Sequence, residues 1–424
     1  MRRQSAYPAD QRGVALPMAM LALLLLSVLV LGFSTLAATE PPIANSQLMV
    51  SQARSLAEAG IERAVWAIGT GNITSPAGKT AAAPYDGSQL IQVSVGAVTL
   101  GGFRVTVANP VPPATGSACR SAAERCITSV GWVPGDVTTK PTAHQKIVLA
   151  MTNPQALFKD PPAALSVRGQ LQVAGHALVD SRGDQGCGRK VGTMTTGAAT
   201  LQGTPGIFGA MDGNDTPNQL TSAHSGPIPA GAGDVVTSLA ASAFDQYAWT
   251  DDDINVLRAY AKSHGTYRQG TVRFDASSKM PDGVVFVDTQ SGANVTREGV
   301  TPATPSSDLA HVTIGSDAHA NPGGRFHGWL FVNGSLSIAG NFAMRGLIYT
   351  QGDLAYHGTG ASGVSGAVIT RNIRDLSTTS IDSDPMGAAS ITYDCHDART
   401  GGGSIPASWT IMSGTYRELC DSCS

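Results

Sequence analysis

The chain has 424 residues, 28 basic and 31 acidic, and a formal net charge of -3. No basic patch or interleaving of aromatic with basic residues marks a nucleic-acid binder. Charged residues are 14% and glycine is 49 of 424, while hydrophobic residues still reach 42%, so the composition points to short strands and tight turns and excludes wholesale disorder.

Arg2, Arg3 and Arg12 precede a run from Val14 to Thr39 that carries no charge. As a helix this run is about 39 Å long. It is long enough to cross a hydrocarbon core of about 30 Å with some tilt. The basic leader predicts a cytoplasmic N-terminus and an exported remainder. A secretory signal has a shorter apolar core, of about 7–15 residues, although Ala37-Ala38 offers a cleavage site. An ordinary single-pass anchor is the simplest alternative.

Beyond the span, Leu48, Met49, Leu56, Ala59, Ile61, Ala64, Val65 and Ile68 recur at spacings of three and four, the stripe of an amphipathic helix. Pro41-Pro42 predicts a kink or break just past the membrane. Gly69 and Gly71 predict the helix end.

Two features here carry a family resemblance. Gln11-Arg12-Gly13-Val14-Ala15-Leu16 is similar to a prepilin processing site, and the helix 47–68 follows it. Together the first 70 residues or so resemble the N-terminal module of PilX-type minor pilins of type IV pilus systems. The resemblance implies cleavage after Gly13 by a prepilin peptidase and methylation of Val14. It implies an inner-membrane location before entry into a filament, with major and minor pilins as partners. Major pilins carry Glu at the fifth position after the cut, and here that position is Met18. In the family the Glu is held to neutralise a neighbour's terminal amine inside an apolar core, where an unpaired charge is costly. A chain without it fits a rare initiating or tip subunit. The K-type minor pseudopilins of type II secretion also lack that Glu and are the second family reading.

Residues 41–153 read as a pilin-like α+β unit. After the helix come strand-like runs at 89–95, 103–108, 126–131 and 146–151, several alternating apolar with polar. Gly101-Gly102 predicts the hairpin turn between the first two.

From about 160 to 400 the chain reads as a glycine-rich, β-solenoid domain. Gly334, Gly340, Gly346, Gly352 and Gly358 fall six apart, with Leu336, Ile338, Phe342, Met344, Leu347, Ile348 and Leu354 between them. A short period of apolar strand and glycine turn is a β-helix signature. A β-sandwich with glycine-rich turns is the alternative. Residues 164–178 form a second such stretch. Between the two, residues 250–264 predict a helix, with Thr250 as N-cap and Asp251, Asp252 and Asp253 complementing the dipole. Val284–Asp288 predicts a further strand. The fold class is therefore α+β followed by all-β.

Six cysteines, Cys119, Cys126, Cys187, Cys395, Cys420 and Cys423, lie beyond the span, and an even number in an exported region predicts disulfides. Cys119 and Cys126 bracket a short loop. Cys187 and Cys395 could join across the long domain. Cys420 and Cys423 form a C-x-x-C in the tail 401–424, without the βαβ context of a redox motif or the second knuckle of a zinc site.

No G-x-S-x-G, P-loop or H-E-x-x-H motif is present, so the chain reads as non-enzymatic. β-Helices also host polysaccharide-active enzymes, which would cluster carboxylates or bases on one face. Asp288, Asp353, Asp375, His327 and His357 are the candidates. Asp212, Asn214 and Asp215 loosely resemble a calcium loop but lack the EF-hand spacing. No cofactor is expected. The functional expectation is a minor pilin that primes or decorates a pilus, with the solenoid projecting toward a host or environmental surface. A single-pass β-helical adhesin unrelated to pili is the third reading.

Overall fold

The structure, a computed structural model, describes residues 15–73, 80–108, 123–134, 143–183, 186–292, 300–319, 324–359, 363–374 and 381–419. It begins with one helix, α1 (Ala15–Gly69), about 80 Å long at 1.5 Å per residue. The expected break at Pro41-Pro42 does not occur, because both prolines lie inside the helix. They are adjacent, so their two missing N–H donors fall in one turn, and the ladder on either side carries the helix through. α1 ends as its glycines predict. Asn72 N–H reaches the Ala67 carbonyl at 2.9 Å and Gly71 N–H that of Ile68 at 3.2 Å. Gly71 stands at φ +74°, so this is a Schellman end.

Strands β1 (Ile91–Val95), β2 (Val98–Ala108), β3 (Glu124–Val133) and β4 (Ala143–Thr152) pair antiparallel in chain order. The β1–β2 turn is Gly96-Ala97, with Gly96 at φ +62°, and not Gly101-Gly102. Gly101 lies inside β2 for a different reason. A Cβ there would stand 2.2 Å from the Trp132 carbonyl oxygen and 2.8 Å from Leu56 Cδ1.

The chain continues through β5 (Ala163–Val167), β6 (Leu171–Gly175), β7 (Leu178–Asp180), β8 (Val191–Thr195), β9 (Ala199–Gly203), β10 (Gly206–Phe208), β11 (Leu220–Ser222) and β12 (Val235–Thr237). Helices α2 (Ala241–Asp245) and α3 (Asp251–Ser263) follow. Thr250 and Asp253 form the capping box of α3. Strands resume as β13 (Tyr267–Gln269), β14 (Thr271–Phe274), β15 (Gly283–Asp288), β16 (Ala310–Ile314), β17 (Phe326–Val332), β18 (Gly334–Gly340), β19 (Met344–Thr350) and β20 (Leu354–Gly358). The series closes with β21 (Val364–Thr370), β22 (Ser383–Gly387), β23 (Ser390–Tyr393), α4 (Cys395–Thr400), β24 (Thr410–Ile411) and β25 (Arg417–Leu419).

From β13 to β22 the strands alternate between two parallel sheets. Phe326 pairs with Met344 and Leu336 with Leu354, so the chain returns to the same place after 18 residues. The six-residue glycine spacing is therefore three places on one 18-residue turn. Gly328, Gly346 and Gly366 form one column, and Gly340, Gly358 and Gly387 another. Gly352 N–H donates to the Gly334 carbonyl at 2.9 Å in the third. The column through Gly346 needs glycine, because a Cβ at Gly346 would stand 1.7 Å from the Gly328 carbonyl oxygen at φ +146°.

The order of stacking differs from the order of the chain. β21 pairs with β5 and β22 with β6, so the early strands continue the stack where the late ones end. The two stretches that look separate in the sequence form one stack with one apolar core. One parallel sheet is buried on both faces through β17, β19 and β21. The column Tyr267, Phe286, Phe331, Tyr349 lies in register on it. Trp249, in the segment before α3, stacks on Tyr349 at 4.5 Å. The other sheet alternates buried with part-exposed residues, as at β18 with Leu336 and Ile338 inside and Ser335 and Ser337 outside.

The tail does not hang free as a separate segment. β24 and β25 both pair antiparallel with β4, which returns the chain to its first sheet.

Candidate functional site

The two halves of α1 face different surroundings. From Leu16 to Leu36 its large apolar side chains are exposed, Met18 at 69% and Leu26 at 61%. Exposed apolar surface costs about 25 cal/mol per Å² in water. This is the one helix among the described residues long and apolar enough to cross a membrane. Two of its hydroxyls bond back to the helix's own carbonyls. Ser27 Oγ donates to the Leu23 carbonyl at 2.7 Å and Thr35 Oγ1 to that of Gly32 at 2.8 Å. Lipid demands such internal pairing. Pro17 stands in the first turn, where its missing N–H has no helical partner to lose.

The second half packs on the sheet. Ala57, Ile61, Ala64 and Ile68 are buried, at helical spacing, against Phe103, Val105, Ile127, Ile147, Leu149 and Met151, and just before them Ala53 and Leu56 are buried against Val133 and Ala143. Leu48 and Ala59 of the expected stripe are exposed instead, and Ala53 and Ala57 take their place. Gly60 and Gly131 bring helix and sheet together. A Cβ at Gly60 would stand 2.2 Å from Ser129 Oγ, and one at Gly131 would stand 2.2 Å from the Ala53 carbonyl oxygen.

The tail touches α1 beside this packing. Arg54 donates to Glu58 at 3.1 Å and to Glu418 at 2.7 Å. Tyr416 Oη donates to Glu58 Oε1 at 3.1 Å. Nothing in the sequence pointed to Tyr416 or Glu418, because β24 and β25 are two and three residues long and carry no period.

The processing pair Gly13 and Val14 lies outside the described residues, as do Asp375, Cys119, Cys420 and Cys423. Cys126 is disulfide-bonded. Cys187 and Cys395 form a disulfide across 208 positions, with Cα atoms 5.7 Å apart, tying the β7–β8 loop to α4.

The candidate acids and bases do not converge. Asp288 is buried at the end of β15 with its oxygens engaged. It accepts from Arg258 Nε at 2.6 Å, Asn333 Nδ2 at 2.7 Å, Tyr267 Oη at 3.0 Å and Thr289 N–H at 3.0 Å. Burial, and then the Asp288 charge, push the Tyr267 phenol well above its ordinary range. A carboxylate held this way is a structural anchor, and Arg258 is the partner that the sequence did not reveal. His357 lies on the other sheet, 3.2 Å from Asp384, whose carboxyl is pushed up by burial. Asp353 sits between β19 and β20, its N–H donating to Ser335 Oγ at 3.3 Å. His327 N–H donates to Asp282 Oδ1 at 2.8 Å.

Asp212, Asn214 and Asp215 bond to protein groups. Asp212 accepts from Asn214 N–H at 3.2 Å and Nδ2 at 2.7 Å, and Asp215 pairs with Arg182 at 3.0 Å. Among the described residues no group of three or more His, Cys, Asp or Glu side chains could hold a metal ion.

No family model matches the chain, and no curated protein matches it. Among solved structures it is similar to the competence-associated pilin ComZ from Thermus thermophilus, with a TM-score of 0.24 and 11% identity. That match covers 88% of this chain and 97% of that one. A TM-score of this size does not establish a shared fold.

Proposed function

We propose that the chain is a non-enzymatic minor pilin of PilX type, cut after Gly13 and methylated on Val14. Its first helical half holds it in the inner membrane and then enters a filament. The observation that carries this reading is the division of α1. An uncharged, exposed apolar half leads directly into a half packed on an antiparallel sheet. Membrane anchoring needs only the first half, whereas a filament subunit needs a helix continuous with its own sheet.

In this reading residues 14–40 are the span and 41–153 the pilin-like unit, which β24 and β25 complete. Residues 160–400 form a β-solenoid inserted between β4 and β24. What supports the solenoid is the 18-residue return of the chain and its parallel columns. The stack then projects from the filament as a tip or priming module that contacts a surface. Met18, where a repeating subunit carries Glu, agrees with a rare position.

The test is the N-terminal mass of the mature chain with and without a functional prepilin peptidase. A chain beginning at methylated Val14, only when the peptidase is present, is the expected result. An intact N-terminus in both strains, or a start near Ala38, overturns the proposal. A deletion that blocks exoprotein secretion and spares twitching selects a K-type pseudopilin instead.

A further inference from the structure

The residues from Gly87 to Phe103 carry no charge, between Asp86 and Arg104. They include β1, the Gly96-Ala97 turn and the first half of β2. At the turn Val95 and Val98 pair across the hairpin. They are 67% and 64% exposed, the most exposed large apolar side chains outside α1 among the described residues, and Leu100 beside them is 42% exposed. A charge-free hairpin with apolar residues at its tip is a sticky surface in water. Its position along α1 suggests what covers it.

Gly60 of α1 lies against Phe103 and Val105, and Leu56 lies against Gly101. Following β2 back toward its start thus moves along α1 toward the apolar half. Val93 packs in the same cluster as Met49 and Leu56. The turn lies beyond Val93, about 7 Å further at roughly 3.3 Å per residue. That brings it near the helical turn of Gln47, about 10 Å along the axis from Glu40, where the uncharged run has just ended. The polar layer of a bilayer is about 5–8 Å deep on each side. An upright span leaves the turn just outside that layer, so the contact requires the span to tilt toward the flank that carries β1 and β2.

We propose that the β1–β2 turn is a second lipid contact, with Val95 and Val98 seated in the headgroup layer of the bilayer that α1 crosses. This rests on the reading of α1 as a membrane span. Continuity with that span and the absence of charge favour lipid over a protein partner. The contact fixes the rotation of the sheet relative to the membrane before the subunit leaves it.

The test uses the full chain in lipid nanodiscs. Ala97→Cys carries a polarity-sensitive thiol dye in a chain that also has Cys420→Ser and Cys423→Ser, and the same chain without Ala97→Cys gives the labelling background; the described residues hold no free cysteine. Thr204→Cys, on the exposed β9–β10 connection, is the aqueous reference. The dye at 97 is expected to be quenched by lipids spin-labelled near the headgroup and shielded severalfold from iodide, while the dye at 204 is not. Val95→Asp with Val98→Asp should abolish both effects without releasing the chain from the disc. A chain that stays in the disc with its dye at 97 open to iodide overturns the lipid contact and leaves the span intact. A chain that does not stay in the disc overturns the span and this contact with it. Shielding that appears only with several chains per disc assigns the tip to a second copy and overturns the proposal.

Discussion

Arg258 Nε lies 2.6 Å from Asp288 Oδ2, and both side chains are buried. The pair ties α3 to the end of β15. Two charges out of water hold only while each satisfies the other. Asp288→Ala leaves the guanidinium buried without its partner and is expected to cost about 3–5 kcal/mol. Replacing both, with Arg258→Met and Asp288→Leu, should restore much of that loss. Chemical unfolding of the full chain in detergent measures both. Equal losses in the single and double variants would mean that the pair is not the source of the stability.

Gly346 offers a sharper steric prediction. Gly346→Ala puts a Cβ 1.7 Å from the Gly328 carbonyl oxygen at φ +146°. Backbone strain and overlap together should cost about 3 kcal/mol or more. Gly183→Ala meets nothing within 4 Å and is the control. Thermal melts that shift by the same small amount for both would show that the glycine column is not under steric demand.

Some of this architecture is legible in the residues and some is not, and the division follows the range of the forces. The charge-free run from Val14, the Gly71 end of α1 and the Thr250 N-cap are local, and each appears where the pattern places it; that Asp253 closes a capping box with Thr250 is seen only in the structure. Gly101-Gly102 misleads because a glycine pair signals a turn or a close approach equally well, and here α1 makes it a close approach. The six-residue glycine period is real but reports three places on a longer turn of chain. Stacking of β21 on β5 joins residues about 200 positions apart, and no local pattern encodes that. Asp288 is readable as a carboxylate, but its role depends on Arg258, one helix away.

Tyr349 should make the fold sensitive to alkali. Burial pushes its phenol up to about 12 from an ordinary 10.0. Between those values the unfolded chain releases the proton and the folded chain keeps it. Stability is therefore intact below pH 10 and falls as pH rises toward 12, by at most about 1.4 kcal/mol per pH unit for this group. Tyr356, also pushed up to about 12 by burial, adds to the slope. Tyr349→Phe should flatten the decline between pH 10 and 12. At neutral pH it should cost about 1–3 kcal/mol, because the Trp249 N–H now donating to Tyr349 Oη at 3.1 Å loses its acceptor. An unchanged alkaline slope would show that Tyr349 does not set it.

The Cys187–Cys395 bond closes a loop of 208 positions and joins the β7–β8 loop to α4. Removing such a link typically costs about 2–5 kcal/mol. Cys187→Ser with Cys395→Ser should lower the melting temperature of the oxidised chain. It should not lower that of the reduced chain, because reduction has already opened the link. A variant that melts with the oxidised wild type would mean that packing alone holds the stack closed.

The tail separates an ion pair from a strand edge. Arg54 and Glu418 are 2.7 Å apart but partly exposed, with side chains 51% and 35% accessible. Exposed pairs contribute little, so Glu418→Gln should leave the unfolding midpoint nearly unchanged. Ending the chain at Trp409 acts differently. It strips β24 and β25 from β4 and leaves a row of unpaired backbone groups along one edge of the first sheet. That variant should self-associate in detergent, seen as larger species by light scattering, while Cys420→Ser with Cys423→Ser in the full chain stays monodisperse. A truncated chain as monodisperse as the full one would mean that the β4 edge needs no cover, and the tail would then be dispensable to the sheet it returns to.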